Sequence, residues 1–470
     1  MSLKIALPKG RLLGKTSALL QSAGWGLSEY HERARLYRLK SEKLPGLSAK
    51  IFHEKDVPIQ VAIGNYDLGI CGLDWVEELL VKYPSSALVK VRDLGYGRGT
   101  LSVAASGSGA TSIEEMQAKH EVIRIASEYP NLAESFALNL RLRRFNIFPL
   151  WGAAEVYPPE NAELVLISGK EGQESFDGLV AISRVLHYSA FLIANKASWE
   201  TKDMSQVMSS LESQWHLVKE HHSHARPAKM PVAGQHPLQE ITEDTIRLAL
   251  PDGHQQQHTV PLLNKAGIPI EDYPSATGNR RPRIGLEGVT IKVIRPQDMP
   301  LQVANGNFDL AITGKDWVLE HLDKFPSSPI IELLDLKYGR VKIVAVVSND
   351  LPVNDVYGLR QLIASRSEPF RVASEYISIA DKYARDNHLG MYKVVPTWGA
   401  SEAFLPEDAD LLIENTETGR TIARHNLKII DTLFESTACL MGNKNSLASP
   451  KKGGRIENIV KKLRTAVEGN

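Results

Sequence analysis

The chain of 470 residues is poor in several things at once, and each shortage closes off a class of protein. It has two cysteines, Cys71 and Cys439, too few for a disulfide framework, so both are expected as reduced, buried small hydrophobes. It has no charge excess: 55 Lys plus Arg balance 55 Asp plus Glu, so nothing global attracts a nucleic acid or a membrane surface, and any basic site must be local. No apolar run approaches the ~18 residues of a spanning helix. The opening MSLKIALPKGRLLGK lacks the apolar core of a secretory signal, which disfavours an extracellular solute-binding protein and leads us to expect a cytoplasmic one. What remains is 43% hydrophobic and 23% charged, an ordinary globular composition long enough for two or more domains.

What the chain does have is itself, twice. GNYDLGICGLDWV begins at Gly64 and GNFDLAITGKDWV at Gly306. LPKGR at 7–11 parallels LPDGH at 250–254, and KDVP at 55–58 parallels QDMP at 297–300. IASEY at 125–129, WGAAEVY at 151–157 and ANKAS at 194–198 return as VASEY at 372–376, WGASEAF at 398–404 and GNKNS at 442–446. The near-constant offset makes this a duplicated module, not a short solenoid repeat. We expect a first module at 1–215, a polar linker at 216–243 and a second module at 244–470. The linker histidines His221, His222 and His224 lack partner carboxylates or thiols and read as solvated.

Within each copy, strand-like runs such as LKIALP, LSAKIF and AELVLIS alternate with helix-like stretches such as DWVEELLVKY. The alternation predicts an α/β fold with parallel or mixed sheets. RDLGYGRGTLSVA reads as a hinge, which splits each copy into two lobes. These are 1–92 with 185–215 against 93–184, and 244–334 with 428–470 against 335–427, with ligands in the cleft between lobes. Trp75 and Trp317 are expected to pack their helices on the sheet, and core packing is the expectation for Trp151 and Trp398 as well.

The chemistry concentrates in the second copy. A strand at 411–413 leads into Thr416-Glu417-Thr418-Gly419-Arg420-Thr421, after which a helix is expected. Hydroxyls around a glycine at a strand-to-helix turn suit a phosphate monoester: backbone N–H groups point at the anion and glycine permits close approach. An ordinary helix N-cap uses the same residue types. The segment resembles the signature of the ATP phosphoribosyltransferase family, with Glu402 as leading carboxylate and Glu414 where an aspartate is usual. LKIALPKGRL, GNYDLGICGLDWVEELL, SEYP and the Cys-Leu-Met strand at 439–441 match the family in order and spacing.

That resemblance implies two-lobed modules like type II periplasmic binding proteins. It also implies transfer of the phosphoribosyl group of phosphoribosyl pyrophosphate (PRPP) to N1 of ATP, releasing pyrophosphate, as the first step of histidine biosynthesis. Mg²⁺ would act on the substrate phosphates. Lys9, Arg11 and Glu402 are the catalytic candidates, and Glu414 with Thr416, Glu417, Thr418, Gly419, Arg420 and Thr421 the PRPP-binding set. Arg33, Arg35, Lys342, Ser127, Glu128 and Tyr129 are candidates for ATP or pyrophosphate contact. The closing KKGGRIENIVKKLRTAVEGN reads as a single helix, which resembles the short form of the family and implies an accessory regulatory subunit related to histidyl-tRNA synthetase.

The copies differ in complementary ways. Lys9 and Arg11 are replaced by Asp252 and His254, so the second copy loses the fixed cationic fork. Aligned through WGA, Glu171, Gly172 and Glu174 fall on Thr418, Gly419 and Thr421, so the first copy loses the hydroxyls. Each such carboxylate opposes a phosphate by roughly 4 kcal/mol at ~4 Å in an effective dielectric of about 20. Thr100 against Lys342 removes another cation from the first copy. These losses predict an intramolecular pseudo-dimer with one composite active site, with further homo-oligomerisation open. The alternative is a non-catalytic regulatory or ligand-binding paralogue of the same fold.

Overall fold

In the computed structural model, the described residues are 2–32, 37–85, 87–107, 112–171, 173, 175–176, 178–220, 242–399 and 401–469. Arg33, Arg35, Gly172, Glu174 and the linker histidines lie outside them. The chain divides into two compact units. One is Met1–Pro149, Tyr157–Gly234 and Thr397–Ala403; the other is Leu150–Val156, Gln235–Pro396 and Phe404–Asn470. The short segments at 150–156 and 397–403 therefore group with the copy that does not encode them, which the module limits drawn from the sequence did not foresee.

The first unit holds two six-stranded mixed sheets. In one, Leu3–Pro8 lies parallel between Leu47–Phe52 and Leu68–Gly72, and Ala190–Asn195 runs antiparallel between Leu68–Gly72 and Leu88–Asp93. A near-continuous apolar run is what a central parallel strand needs, because helices cover both its faces; five of the six residues of Leu3–Pro8 are buried. In the other sheet, Gly99–Ser106 runs antiparallel to Leu164–Lys170 and Leu179–Tyr188, and Ile123–Ser127 is parallel to Phe145–Pro149. The chain passes between the sheets at 94–98 and again at 189, each sheet having its own apolar core.

The second unit repeats the plan with two five-stranded sheets and a two-stranded ribbon of Ile270–Glu271 and Arg283–Ile284. Ile246–Pro251 pairs with Val289–Ile294 in the register by which Leu3–Pro8 pairs with Leu47–Phe52. Its last helix is Gly453–Glu468, with Ile456, Ile459 and Leu463 on the buried face.

The expected boundaries depart from the structure: Leu179–Tyr188 pairs with Gly99–Ser106 and Leu427–Ser436 with Val341–Ser348, so residues 185–188 and 428–436 belong to the second lobe's sheet in each copy and not to the first lobe. Residue 216 does not open the linker, because the helix Ser205–Glu220 runs through it. Val207 and Leu211, one helical turn apart, are buried in the first sheet's core, and Trp25 Nε1–H donates to Ser210 Oγ at 2.9 Å. Trp75 packs against the core of the Gly99–Ser106 sheet and Trp317 against that of the Val341–Ser348 sheet. Both cysteines are free and buried, and burial raises both thiol pKa values.

Candidate active site

The basic turn after Leu3–Pro8 sets the geometry of the first unit. Lys9 N–H donates to the Phe52 carbonyl at 2.7 Å, and Lys9 Nζ reaches the Tyr37 hydroxyl at 3.3 Å. Arg11 turns inward. Its Nε donates to Glu54 Oε2 at 2.9 Å and its Nη2 to Asp74 Oδ2 at 2.6 Å, while the guanidinium lies over the Tyr188 ring, 4.8 Å from its centre. Asp74 accepts a further bond from the Tyr129 hydroxyl at 2.8 Å, and Glu54 one from Gly72 N–H at 3.0 Å.

Two carboxylates sealed from water around one cation hold that cation ionised. Burial alone would lower the Arg11 pKa, but Glu54 and Asp74 raise it above the ordinary range. Burial pushes the Glu54 pKa up against the opposing pull of Arg11. Gly72 makes this possible, since a Cβ there would sit 2.1 Å from Asp74 Oδ1 and 2.4 Å from Arg11 Nη2.

Beside this cluster, Lys55 Nζ bonds Glu128 Oε2 at 3.2 Å and lies 4.7 Å from the centre of the Trp75 ring, which stacks on Tyr129 at 4.2 Å. Ser127 is fully buried; its hydroxyl donates to the Leu166 carbonyl and accepts from Tyr129 N–H. Of the expected ATP contacts in this segment, Ser127 and Tyr129 are thus committed to the fold, and only Glu128 keeps an exposed edge, a third of its side chain. Burial pushes the His53 pKa down to about 4, helped by Lys55 and Lys9, so that ring is neutral near pH 7.

In the second unit, Leu411–Thr416 ends in a turn where Gly419 adopts φ +72°, followed by one helical turn, Arg420–Arg424. Gly419 N–H donates to Thr416 Oγ1 at 2.9 Å, which fixes the turn from within. Glu417, Thr418, Arg420 and Thr421 are exposed. Lys342 pairs with Thr416 on the neighbouring strand, so a cation flanks the hydroxyl turn. Glu414 stays in the strand, its Oε1 accepting from Asn415 N–H at 2.9 Å. The counterpart of Asp74 is Asp316, which has lost its arginine. It accepts instead from the hydroxyls of Tyr376 and Ser436, both at 2.7 Å, and burial raises its pKa against them.

In the first copy the strand corresponding to Leu411–Thr416 is Leu164–Lys170. Ser175–Phe176 folds back on Leu179–Tyr188 as a hairpin. The Phe176 ring covers Gly169 so closely that a Cβ there would lie 2.4 Å from it. Thr100 is buried, its hydroxyl 3.1 Å from His187 Nδ1. The sequence comparison found the acidic replacements but not the hairpin, because two-residue strands carry no readable period.

Lys9, Arg11 and Glu402 fall in one unit, whereas Lys342, Glu414 and the Thr416–Thr421 turn fall in the other. Sequence reasoning missed Glu54, Asp74 and Lys55, which encircle Arg11 and Trp75. The signal for Asp74 was present, since the Asp-Trp pair recurs as Asp316-Trp317. It also missed Arg280 and Arg295, which bracket Asp252.

The ATP phosphoribosyltransferase family model matches residues 53–213 and again 295–465. The ATP phosphoribosyltransferase of Chlorobaculum parvum is 31% identical over 231 residues, 48% of this chain and 73% of that protein. The enzyme of the same name from Pelotomaculum thermopropionicum is 29% identical over 227 residues, covering 47% and 73%. A solved structure described as the ATP phosphoribosyl transferase (HisG:HisZ) complex from Thermotoga maritima aligns with 48% of this chain and 100% of that one, at 20% identity and a TM-score of 0.40.

Proposed function

The chain belongs to the ATP phosphoribosyltransferase family, and on that premise we propose that it transfers the phosphoribosyl group of PRPP to N1 of ATP, with release of pyrophosphate, the entry step of histidine biosynthesis. The observation that carries this reading is the second copy's turn: a positive-φ glycine among exposed threonines at a strand-to-helix junction, flanked by Lys342. Amides and hydroxyls so placed suit the 5′-phosphate dianion.

The reaction needs little proton transfer. Attack by adenine N1 on the anomeric carbon builds positive charge on the ribose and negative charge on the departing pyrophosphate, so fixed countercharges and alignment do most of the work. Lys9 and Arg11 are the cations assigned to the pyrophosphate or ATP phosphates, Arg11 held rigid by Glu54 and Asp74. Glu402 is the carboxylate assigned to the ribose. Neither copy carries the whole set of candidate residues. Among the described residues no three metal-ligating side chains converge, and the magnesium is assigned to the substrate phosphates.

By the same kinship the chain is assigned to the cytoplasm and to an accessory subunit related to histidyl-tRNA synthetase. Among the described residues, no helix is long and apolar enough to cross a membrane. The test is pyrophosphate release by the purified full chain. It should require PRPP, ATP and Mg²⁺ together, and fall at least a hundredfold in Thr421→Ala. A folded chain that binds PRPP yet releases no pyrophosphate would instead be the ligand-binding paralogue, a reading to which the remodelled first-copy hairpin lends some weight.

A further inference from the structure

The two main sheets of each unit are joined by short crossings, at 94–98 and 189 in the first copy and at 336–340 and 437 in the second. Two lobes connected in this way are free, on that connection alone, to open and close about the crossings. One helix of the first copy ties them together elsewhere. Leu73–Lys82 follows the strand Leu68–Gly72, and Asp74 and Glu78 lie one turn apart on it. Asp74 Oδ2 accepts from the Tyr129 hydroxyl at 2.8 Å. Glu78 accepts from Asn131 N–H and Leu132 N–H at 2.9 Å each, and from Asn131 Nδ2 at 2.7 Å. Tyr129, Asn131 and Leu132 open the helix Pro130–Asn139 of the other lobe, where Tyr129 supplies no side-chain cap. Between the two carboxylates' attachment points, Trp75 stacks on the Tyr129 ring.

The second copy repeats the arrangement on the helix Lys315–Lys324. Asp316 accepts from the Tyr376 hydroxyl at 2.7 Å, and Glu320 from Ser378 N–H at 2.8 Å and Ile379 N–H at 2.9 Å. The helix Ile377–Asp386 likewise starts at a tyrosine that gives it no side-chain cap, and Trp317 lies 4.5 Å from that ring. Here His254 stands where the first copy has Arg11. The tyrosine-to-aspartate bond is therefore kept where the arginine is gone, so holding a cation is not its only use.

We propose that Asp74, Trp75 and Glu78, with Asp316, Trp317 and Glu320 in the second copy, form an interlobe clasp that fixes the angle between the lobes of each module, so that neither cleft swings open. The N–H groups at a helix start need acceptors, and here the acceptors come from the other lobe, so each capped helix is complete only while its lobes stay together. Opening the first module would strand Asp74 and Glu78, both buried, and bare the amides they hold. The clasp goes beyond the enzymatic reading and does not depend on it. Any ligand meets a preset cleft, and none of its binding energy is spent on closure.

The test is double electron–electron resonance on the ligand-free, full-length chain, spin-labelled at Lys15→Cys and Lys119→Cys. These are exposed helix positions on the two lobes of the first copy, and the native Cys71 and Cys439 are buried. The chain with its clasp intact should give one narrow distance. Adding Tyr129→Phe and Glu78→Gln, which remove the hydroxyl and one accepting oxygen at nearly constant shape, should widen the distribution at least twofold or shift its centre. A broad distribution with the clasp intact, or the same narrow one without it, would overturn the proposal. If the chain with both changes does not fold, Tyr129→Phe alone, which keeps the ring on Trp75, is measured with the same two outcomes. Pyrophosphate release from PRPP and ATP, assayed in parallel, bears on the enzymatic assignment and leaves the distance comparison intact.

Discussion

Arg11 is held by two carboxylates that have almost no access to water, Glu54 at 6% and Asp74 at 0% side-chain exposure. Removing the cation leaves both stranded, and breaking a buried pair in this way costs about 3 kcal/mol or more. Arg11→Met should therefore lower the melting temperature as well as the activity. Glu54→Gln in the same background should recover part of the stability and none of the turnover, whereas a residue that acted only on substrate would leave the melting temperature where it was. The cationic fork itself was legible in LPKGR, but its carboxylates were not: Glu54 and Asp74 lie 43 and 63 residues further along the chain, a pairing that only the fold creates.

At the scale of elements, the Thr416–Thr421 turn stood out through its resemblance to a family signature, because a glycine among hydroxyls at the end of a strand equally suits an ordinary helix N-cap. Gly419 at φ +72° is a position where any side chain strains the backbone. Gly419→Ala should cost about 1 kcal/mol of stability and raise the KM for PRPP at least tenfold while leaving that for ATP within twofold. Equal effects on both substrates would contradict the assignment of the turn to the sugar phosphate. A second junction was not legible at all. Glu78, on the helix Leu73–Lys82, caps the helix Pro130–Asn139, accepting from Asn131 N–H and Leu132 N–H at 2.9 Å each; Glu320 does the same for Ser378 and Ile379.

Burial pushes the Glu78 pKa up to about 7 against those N–H donors. A carboxyl whose folded pKa exceeds its unfolded value adds stability that is fully present below about pH 4.5 and is lost as pH rises through about 7. Glu78→Gln should thus flatten the fall in melting temperature between pH 5 and 8. An unchanged slope would place the titration elsewhere.

For the whole molecule, the duplication and the α/β class could be read directly, since a repeated motif order survives divergence and a strand–helix alternation needs no partner to be seen. The grouping of 150–156 and 397–403 with the opposite copies could not be read, because a crossing segment looks like any loop in one dimension. Division of the candidate residues between copies predicts that Lys9→Ala and Thr421→Ala chains are each inactive. Mixed together, they should regain little activity if one chain supplies the whole set; substantial recovery would mean that separate chains share sites.

The central claim is chemical, and mass spectrometry of the nucleotide pool tests it most directly after the full chain is incubated with PRPP, ATP and Mg²⁺. The account predicts an ATP adduct heavier by one phosphoribosyl group, formed one-for-one with pyrophosphate and absent in Thr421→Ala. Pyrophosphate released without that adduct, or unmodified ATP alongside a folded chain that binds both substrates, would contradict it.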